Sequence, residues 1–101
     1  MAGKSQRIAD VVMHLQTKYG AYNILIQDHW ESEENAIGLT DKSGHYLGYI
    51  STIGGNKDTY YLALENPPVD NEFPYSPAGE FDNIDLVELE NLLSKHLRLI
   101  K

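Results

Sequence analysis

The side chains that most invite a chemical role are the four histidines, because histidine binds metals and transfers protons near neutral pH. They are His14, His29, His45 and His96. Asp28, His29 and His45 border predicted strands, so the fold could bring them together as a metal site. None of the histidines, however, falls in the H-x-H or H-E-x-x-H spacing that places two ligands on one side of an element. The spacing therefore predicts no metal and no cofactor.

Covalent catalysis also finds little support in the residue types. The chain has no cysteine, which excludes a thiol nucleophile, a thiolate metal site and a disulfide framework. Residues 54–57, Gly-Gly-Asn-Lys, lack the Walker spacing and a following helix, and they are typical of a hairpin turn. Carboxylate pairs for acid–base catalysis need a pocket that separates their pKa values, whereas these carboxylates fall in predicted loops and on a helix face. We therefore expect a binding protein rather than an enzyme.

The most distinctive pattern is an acidic stretch that also carries aromatic residues. Between Asp58 and Ser94 the chain has nine acidic residues and no lysine or arginine. Buried aromatic rings supply affinity in protein interfaces, and like charges around them speed encounter with an oppositely charged partner. We therefore predict a partner-binding surface in this stretch. It comprises Asp70, Glu72, Phe73, Tyr75, Glu80, Phe81 and Asp82.

A second acidic stretch, between the first two predicted strands, is a further candidate for partner binding. It contains the lone tryptophan beside several carboxylates, and the candidate residues are Trp30, Glu31, Glu33 and Glu34. A different interpretation holds for both stretches: the aromatic rings pack on the protein itself while the acidic side chains stay solvated. The sequence leaves both interpretations open.

Length and charge restrict the class of protein. The 101 residues fit a single domain over 1–101, and the 42% of hydrophobic residues suffices for a modest core. The net charge of −7 disfavours direct nucleic-acid binding and would steer a basic protein toward the chain. The first residues lack the apolar segment of a secretory signal, and no apolar run is long enough to cross a membrane. We therefore expect a soluble, cytoplasmic protein without membrane contact.

Two amphipathic helices are expected, one near each end. The first covers Gln6–Tyr19, with Ser5 as its N-cap and Gly20 as its stop. The second begins after Asp85, which forms a capping-box-like pair with Glu88. Its apolar stripe is Leu86, Leu89, Leu93, Leu97 and Ile100.

Charged residues on these helices give two further expectations. His14 follows Asp10 by four residues, which predicts a pair on the surface of the first helix. Glu90 falls on the polar side of the second helix, so its truncation is expected to change stability by less than about 0.5 kcal/mol.

Four strands are expected between the helices, over residues 22–27, 36–40, 45–53 and 59–65. Short turns rich in Gly, Asn and Asp join them, which is typical of hairpins. Residues 66–84 hold all four prolines and show no periodicity, which predicts a long loop. The predicted fold is therefore α+β, in the order α-β-β-β-β-α. It is a four-stranded antiparallel meander with both helices packed on one face.

This layout resembles the small immunity proteins that bacteria encode beside polymorphic secreted toxins. The residues that carry the resemblance are the strand Gly-Ala-Tyr-Asn-Ile-Leu at 20–25, the Gly-Glu-Phe at 79–81 and the acidic start of the last helix at 85–90. The resemblance implies a cytosolic inhibitor that covers the active site of a basic cognate toxin. The alternatives are a small enzyme or ligand-binding domain with a pocket between sheet and helices, or a phage or host adaptor.

Overall fold

The structure is a computed structural model that describes residues 3–27, 33–53, 58–67 and 76–99. Within them the fold is α+β, with two helices and five strands. The elements in chain order are α1 (Gln6–Tyr19), β1 (Ile24–Ile26), β2 (Ala36–Asp41), β3 (Leu47–Ser51), β4 (Tyr60–Asn66), β5 (Ser76–Ile84) and α2 (Leu86–His96). Neither of these helices is both long and apolar enough to cross a membrane.

The strands form one antiparallel sheet in the order β1-β2-β3-β4-β5, so each strand pairs with its neighbour in the chain. The predicted antiparallel meander is confirmed, but the expected number of four strands is wrong. The fifth strand, β5, falls in the segment that was expected to be a loop over 66–84. The first strand is also shorter than expected, because Tyr22 and Asn23 lie in the turn before it.

Strand β5 was not predicted from the sequence because it is an edge strand without a regular alternation of apolar and polar residues. Pro77 has no N–H to donate, and an edge strand tolerates this because one side of its backbone needs no partner. Two register irregularities interrupt its pairing with β4, and Asn83 adopts a positive φ of 53° at one of them. These bulges shift the alternation of side chains, so no clean two-residue period survives.

Helix α1 has the predicted bounds, and its local signals explain why. The Ser5 Oγ accepts a hydrogen bond of 3.3 Å from the Ile8 N–H, as an N-cap does. Gly20 ends the helix with a φ of 96°, a backbone conformation that would be strained in a residue with a side chain. The predicted apolar stripe is buried; it consists of Ile8, Val11, Val12, Leu15 and Tyr19.

Helix α2 has Asp85 as its N-cap, and the Asp85 Oδ1 accepts a hydrogen bond of 2.8 Å from the Glu88 N–H, which is one of the two bonds of the predicted capping-box-like pair. Its stripe is buried through Leu89 and Leu93. Leu93 lies directly over Gly48 of β3, where an added Cβ would clash with the Leu93 Cδ1. Glycine at 48 therefore lets α2 pack closely on the middle of the sheet.

The register defines two different faces of the sheet, because residues opposite each other in an antiparallel pair point to the same side. Ile37, Ile50 and Leu62 are opposite one another and join the core cluster that both helices cover. Tyr49 lies opposite Ala63 and Tyr61 opposite Ser51, so these residues point to the other face. Both helices therefore pack on a single face, and the second face is free of described helices.

Candidate binding surface

Two tyrosines and a glutamate meet on the sheet face opposite the helices. Tyr61 follows Tyr60 and precedes Leu62, both of which pack in or against the core, so its ring points the other way. The Tyr61 hydroxyl donates a hydrogen bond to the Glu80 Oε1 of the neighbouring strand β5. The ring of Tyr49 on β3 meets the Tyr61 ring edge-on, with centroids 6.0 Å apart and an interplanar angle of 69°. We call Tyr49, Tyr61 and Glu80 the Tyr61–Glu80 surface.

The bond between phenol and carboxylate has an electrostatic consequence. The hydrogen bond to Glu80, together with burial and the negative charge of that carboxylate, raises the pKa of Tyr61 to about 12. The phenol therefore stays protonated throughout the physiological range and keeps its proton available for the carboxylate. The result is an aromatic ring with an acidic group held at its hydroxyl end. Glu80 itself is exposed.

Charge is distributed unevenly between the layers of the molecule. The five strands contain no lysine or arginine, whereas they contain Asp41, Glu65, Glu80 and Asp82. Both arginines of the chain lie with the helices. Arg7 belongs to α1, and Arg98 follows α2. Asp41 lies on the helical side, opposite core residue Ile24 and beside Lys42 and Arg98. Glu65 and Glu80 lie opposite Leu47 and Ala63, away from the core, and their negative charge would attract a basic molecule to the face that the helices leave uncovered.

The structure places three of the predicted partner-binding residues on β5. Glu80 and Asp82 are exposed, and the Asp82 Oδ1 accepts a hydrogen bond of 2.9 Å from the Asn83 N–H. Phe81 points to the other side, where it packs against the core cluster. The ring of Phe81 therefore stabilises the core and does not contribute to the face that carries Glu80. Four residues of the same prediction lie outside the described residues: Asp70, Glu72, Phe73 and Tyr75.

The second predicted stretch is represented by Glu33 and Glu34, while Trp30 and Glu31 lie outside the described residues. The Glu33 Oε1 accepts a hydrogen bond of 3.1 Å from the Asn35 N–H, and Glu34 is exposed. Strand β2 begins directly afterwards at Ala36, which lies opposite Ser51 of β3. Ser51 in turn lies opposite Tyr61 of β4. The described parts of both acidic stretches therefore lie at the same end of the sheet.

Sequence reasoning missed Tyr49 and Tyr61 as members of this surface. Both were predicted to lie in strands, but neither was predicted to take part in partner binding. The signal was present in the sequence, because the predicted hairpin turn at 54–57 would bring residues about equally far on either side of it close together. The partner Glu80 gave no such signal, since the strand that carries it was expected to be a loop.

A second cluster of charged residues joins the helices, and it corrects two expectations. Glu90 was expected on the exposed side of α2, but only 12% of its side chain is exposed. Its carboxylate accepts hydrogen bonds from Lys18 and from the Tyr19 hydroxyl, the latter at 2.9 Å. The His14 Nε2 lies 2.6 Å from the Glu90 Oε1, so His14 pairs with Glu90 rather than with Asp10. Asp10 instead accepts a hydrogen bond from Gln6.

These contacts change the titration of the carboxylate. The hydrogen bond from Lys18 is the largest effect, and with those from His14 and Tyr19 it outweighs the opposing effect of burial. Together they lower the pKa of Glu90 to about 2. Glu90 is thus an ionised junction between α1 and α2 and belongs to the scaffold.

The two other histidines that the structure describes, His45 and His96, have different surroundings. His45 is exposed in the turn before β3, and the His96 Nε2 lies 2.7 Å from the Glu65 carbonyl oxygen. Among the described residues, no group of three His, Cys, Asp or Glu side chains lies close enough to hold a metal ion. Asp28 and His29 lie outside the described residues.

The described part of the chain also has a surface hollow of about 350 Å³ near the end of α2. It is lined by Asn23, Asp41, Lys42, Leu97, Arg98 and Leu99. The Asp41 carboxylate is engaged by the Ser43 hydroxyl at 2.8 Å and by the His45 N–H at 3.2 Å. These bonds order the turn between β2 and β3.

Comparison of the chain with protein-family models, curated proteins and solved structures finds no match. The fold therefore defines the class by itself. The chain is an α+β domain in which two helices cover one face of a five-stranded antiparallel meander.

Proposed function

We propose that this chain is an acidic, cytoplasmic binding protein that holds a basic protein partner on the Tyr61–Glu80 surface. The observation that carries the proposal is the pairing of an aromatic ring with an exposed carboxylate on the face away from the helices. The hydrogen bond between Tyr61 and Glu80 fixes both groups before a partner arrives. Such preorganisation lowers the entropic cost of ordering side chains on binding.

The charge of the molecule supports a basic partner. The net charge is −7, and the strands contribute carboxylates without a lysine or arginine. A surface of one sign accelerates encounter with a partner of opposite sign and rejects partners of its own sign. Exposed Asp82 on β5 and exposed Glu34 before β2 add carboxylates at the same end of the sheet, where the Lys4 ammonium donates to the carbonyl oxygens of Glu33 and Ala36.

We further propose that the partner is a toxin domain and that the chain is its immunity protein. Support comes from the resemblance in layout and from the acidic surface, which suits the basic active site of a toxin that acts on an anionic substrate. In this proposal the chain covers that active site and excludes the substrate. The residues at 70–75 and at 30–31 that the sequence singles out would belong to the same interface.

The proposal is tested with the protein encoded by the adjacent gene as the partner. Glu80→Lys reverses one charge on the surface and should weaken the complex by roughly tenfold or more, because the partner then meets a like charge. Glu88→Lys is the matched control, since Glu88 is an exposed residue of α2 on the helical side. Equal losses of affinity from the two variants, measured by calorimetry, would argue for general charge attraction without a defined surface.

A further inference from the structure

We propose that the Tyr61–Glu80 surface recognises an arginine side chain of the partner in preference to a lysine. The inference rests on the function proposed above and specifies the chemistry of the same site. It follows from how this chain already pairs its own arginines and from the groups that Tyr61 and Glu80 present together.

The helical side of the molecule contains two arginines that lie on tyrosine rings. The Arg7 guanidinium carbon lies 4.7 Å from the centroid of Tyr60, and that of Arg98 lies 5.1 Å from the centroid of Tyr46. Arg7 also donates a hydrogen bond of 2.8 Å to the Thr59 carbonyl. Arg98 donates to the hydroxyl of Tyr46, in the turn before β3, at 3.4 Å. At the strand residue Tyr60, a tyrosine ring beside a hydrogen-bond acceptor is thus a place where a guanidinium packs.

Tyr61 offers the same combination on the opposite face. It is the immediate neighbour of Tyr60 in β4, and its acceptor is the Glu80 carboxylate. In the part of the chain that the structure describes, no cation lies over the Tyr61 ring and no basic group pairs with Glu80. Tyr61 is half-buried and Glu80 is exposed, so an incoming guanidinium would meet the exposed part of the ring together with an anionic acceptor.

The geometry favours the guanidinium over an ammonium group. The Tyr61 hydroxyl uses the Glu80 Oε1, which leaves the Oε2 and the remaining lone pair of the Oε1 to accept bonds. A planar guanidinium donates through several N–H groups in a fixed fork while it stacks on an aromatic face. A lysine ammonium offers a single strongly hydrated charge that gains less from the ring.

The test uses hexa-arginine and hexa-lysine peptides, which carry the same charge, titrated at low salt into the isotope-labelled protein. We expect hexa-arginine to bind about fivefold more tightly than hexa-lysine, with amide shifts centred on Tyr61 and Glu80. Tyr61→Leu should remove this preference and leave hexa-lysine binding nearly unchanged. Tyr61→Phe keeps the ring and should retain most of the preference, which provides a reading even where the leucine variant folds poorly.

Glu80→Gln and the control Glu88→Gln complete the experiment. Glu80→Gln should weaken both peptides by about two- to fivefold, as expected for an exposed ion pair, whereas Glu88→Gln should shift no resonance of the surface. Equal affinities for the two peptides, or an absence of binding at Tyr61, would overturn the arginine preference. That result would leave the proposed function intact if Glu80→Lys still weakens the complex with the protein partner. An arginine preference combined with no effect of Glu80→Lys on that complex would instead contradict the proposed function.

Discussion

The Tyr19 hydroxyl donates a hydrogen bond of 2.9 Å to the Glu90 Oε2, and this bond ties the end of helix α1 to the middle of helix α2. Lys18 and His14 reach the same carboxylate from α1. Glu90 therefore has three partners on α1, and no other acidic side chain in the described part of α2 has as many. Glu90 is therefore a polar junction that joins the two helices beside their buried apolar stripes.

Replacement of Glu90 by glutamine should lower the free energy of unfolding by about 1–3 kcal/mol at neutral pH, because hydrogen bonds to a charged group are lost. The folded-state pKa of about 2 lies below the ordinary value of 4.5. The stability that this shift supplies is therefore present above about pH 4.5 and is lost as the pH falls through about 2. Urea unfolding at a series of pH values should show the difference between the parent and Glu90→Gln shrinking over that window.

Glu88→Gln provides the control for this prediction, because Glu88 is exposed on the same helix and its side chain bonds to none of these groups. It should change the free energy of unfolding by less than about 0.5 kcal/mol. A loss from Glu88→Gln as large as that from Glu90→Gln would show that the junction between the helices contributes nothing specific.

Gly48 should be intolerant of a side chain because Leu93 occupies the space above it. Gly48→Ala should lower the free energy of unfolding by about 1–3 kcal/mol through overpacking. Leu93→Ala should lower it by about 2–5 kcal/mol, because it leaves a cavity in the core. The double variant should lose less than the sum, since the new methyl group fills part of that cavity. Strictly additive losses in urea unfolding would contradict this contact between α2 and β3.

These predictions also show which parts of the structure the sequence can predict. The bounds of α1 follow from neighbours in the chain: a serine cap, a stripe with a 3.6-residue period and a terminal glycine. The role of Glu90 could not be predicted in the same way, because its partners Lys18 and Tyr19 are 72 and 71 residues away. On its own helix, Glu90 reads as an ordinary exposed residue.

The candidate surface divides along the same line. Glu80 and Asp82 were recognised from local composition, and both are exposed on β5. Tyr61 was not recognised, because its place in the candidate surface depends on a hydrogen bond to β5. Two bulges and a proline hide the strand pattern of β5 in the sequence. The direction of Phe81 was also unpredictable, since the side of the sheet that a side chain occupies depends on the register between β4 and β5.

Thr40 provides a stability prediction on the face opposite the helices. The residue is only 1% exposed, and in the described part of the chain its Oγ1 has no hydrogen-bond partner. Thr40→Val keeps the shape and removes the unsatisfied hydroxyl, so the free energy of unfolding should rise by about 1 kcal/mol. Thr52→Val is the comparison, because the Thr52 Oγ1 donates to the Asn35 carbonyl at 3.4 Å and its loss should not stabilise. Destabilisation by Thr40→Val would mean that the hydroxyl has a partner after all.

The central claim is that a basic partner is drawn to the acidic end of the sheet, and the association rate constant tests it most directly. The rate constant should be measured with the protein encoded by the adjacent gene, for the parent and for the double variant Glu80→Lys/Asp82→Lys. The two salt concentrations are about 50 mM and about 300 mM, because the screening length shortens by several ångströms over this range. We predict that the parent associates at least tenfold faster than the double variant at low salt, and that higher salt largely removes the difference. Equal association rates for the two proteins at low salt would contradict the account.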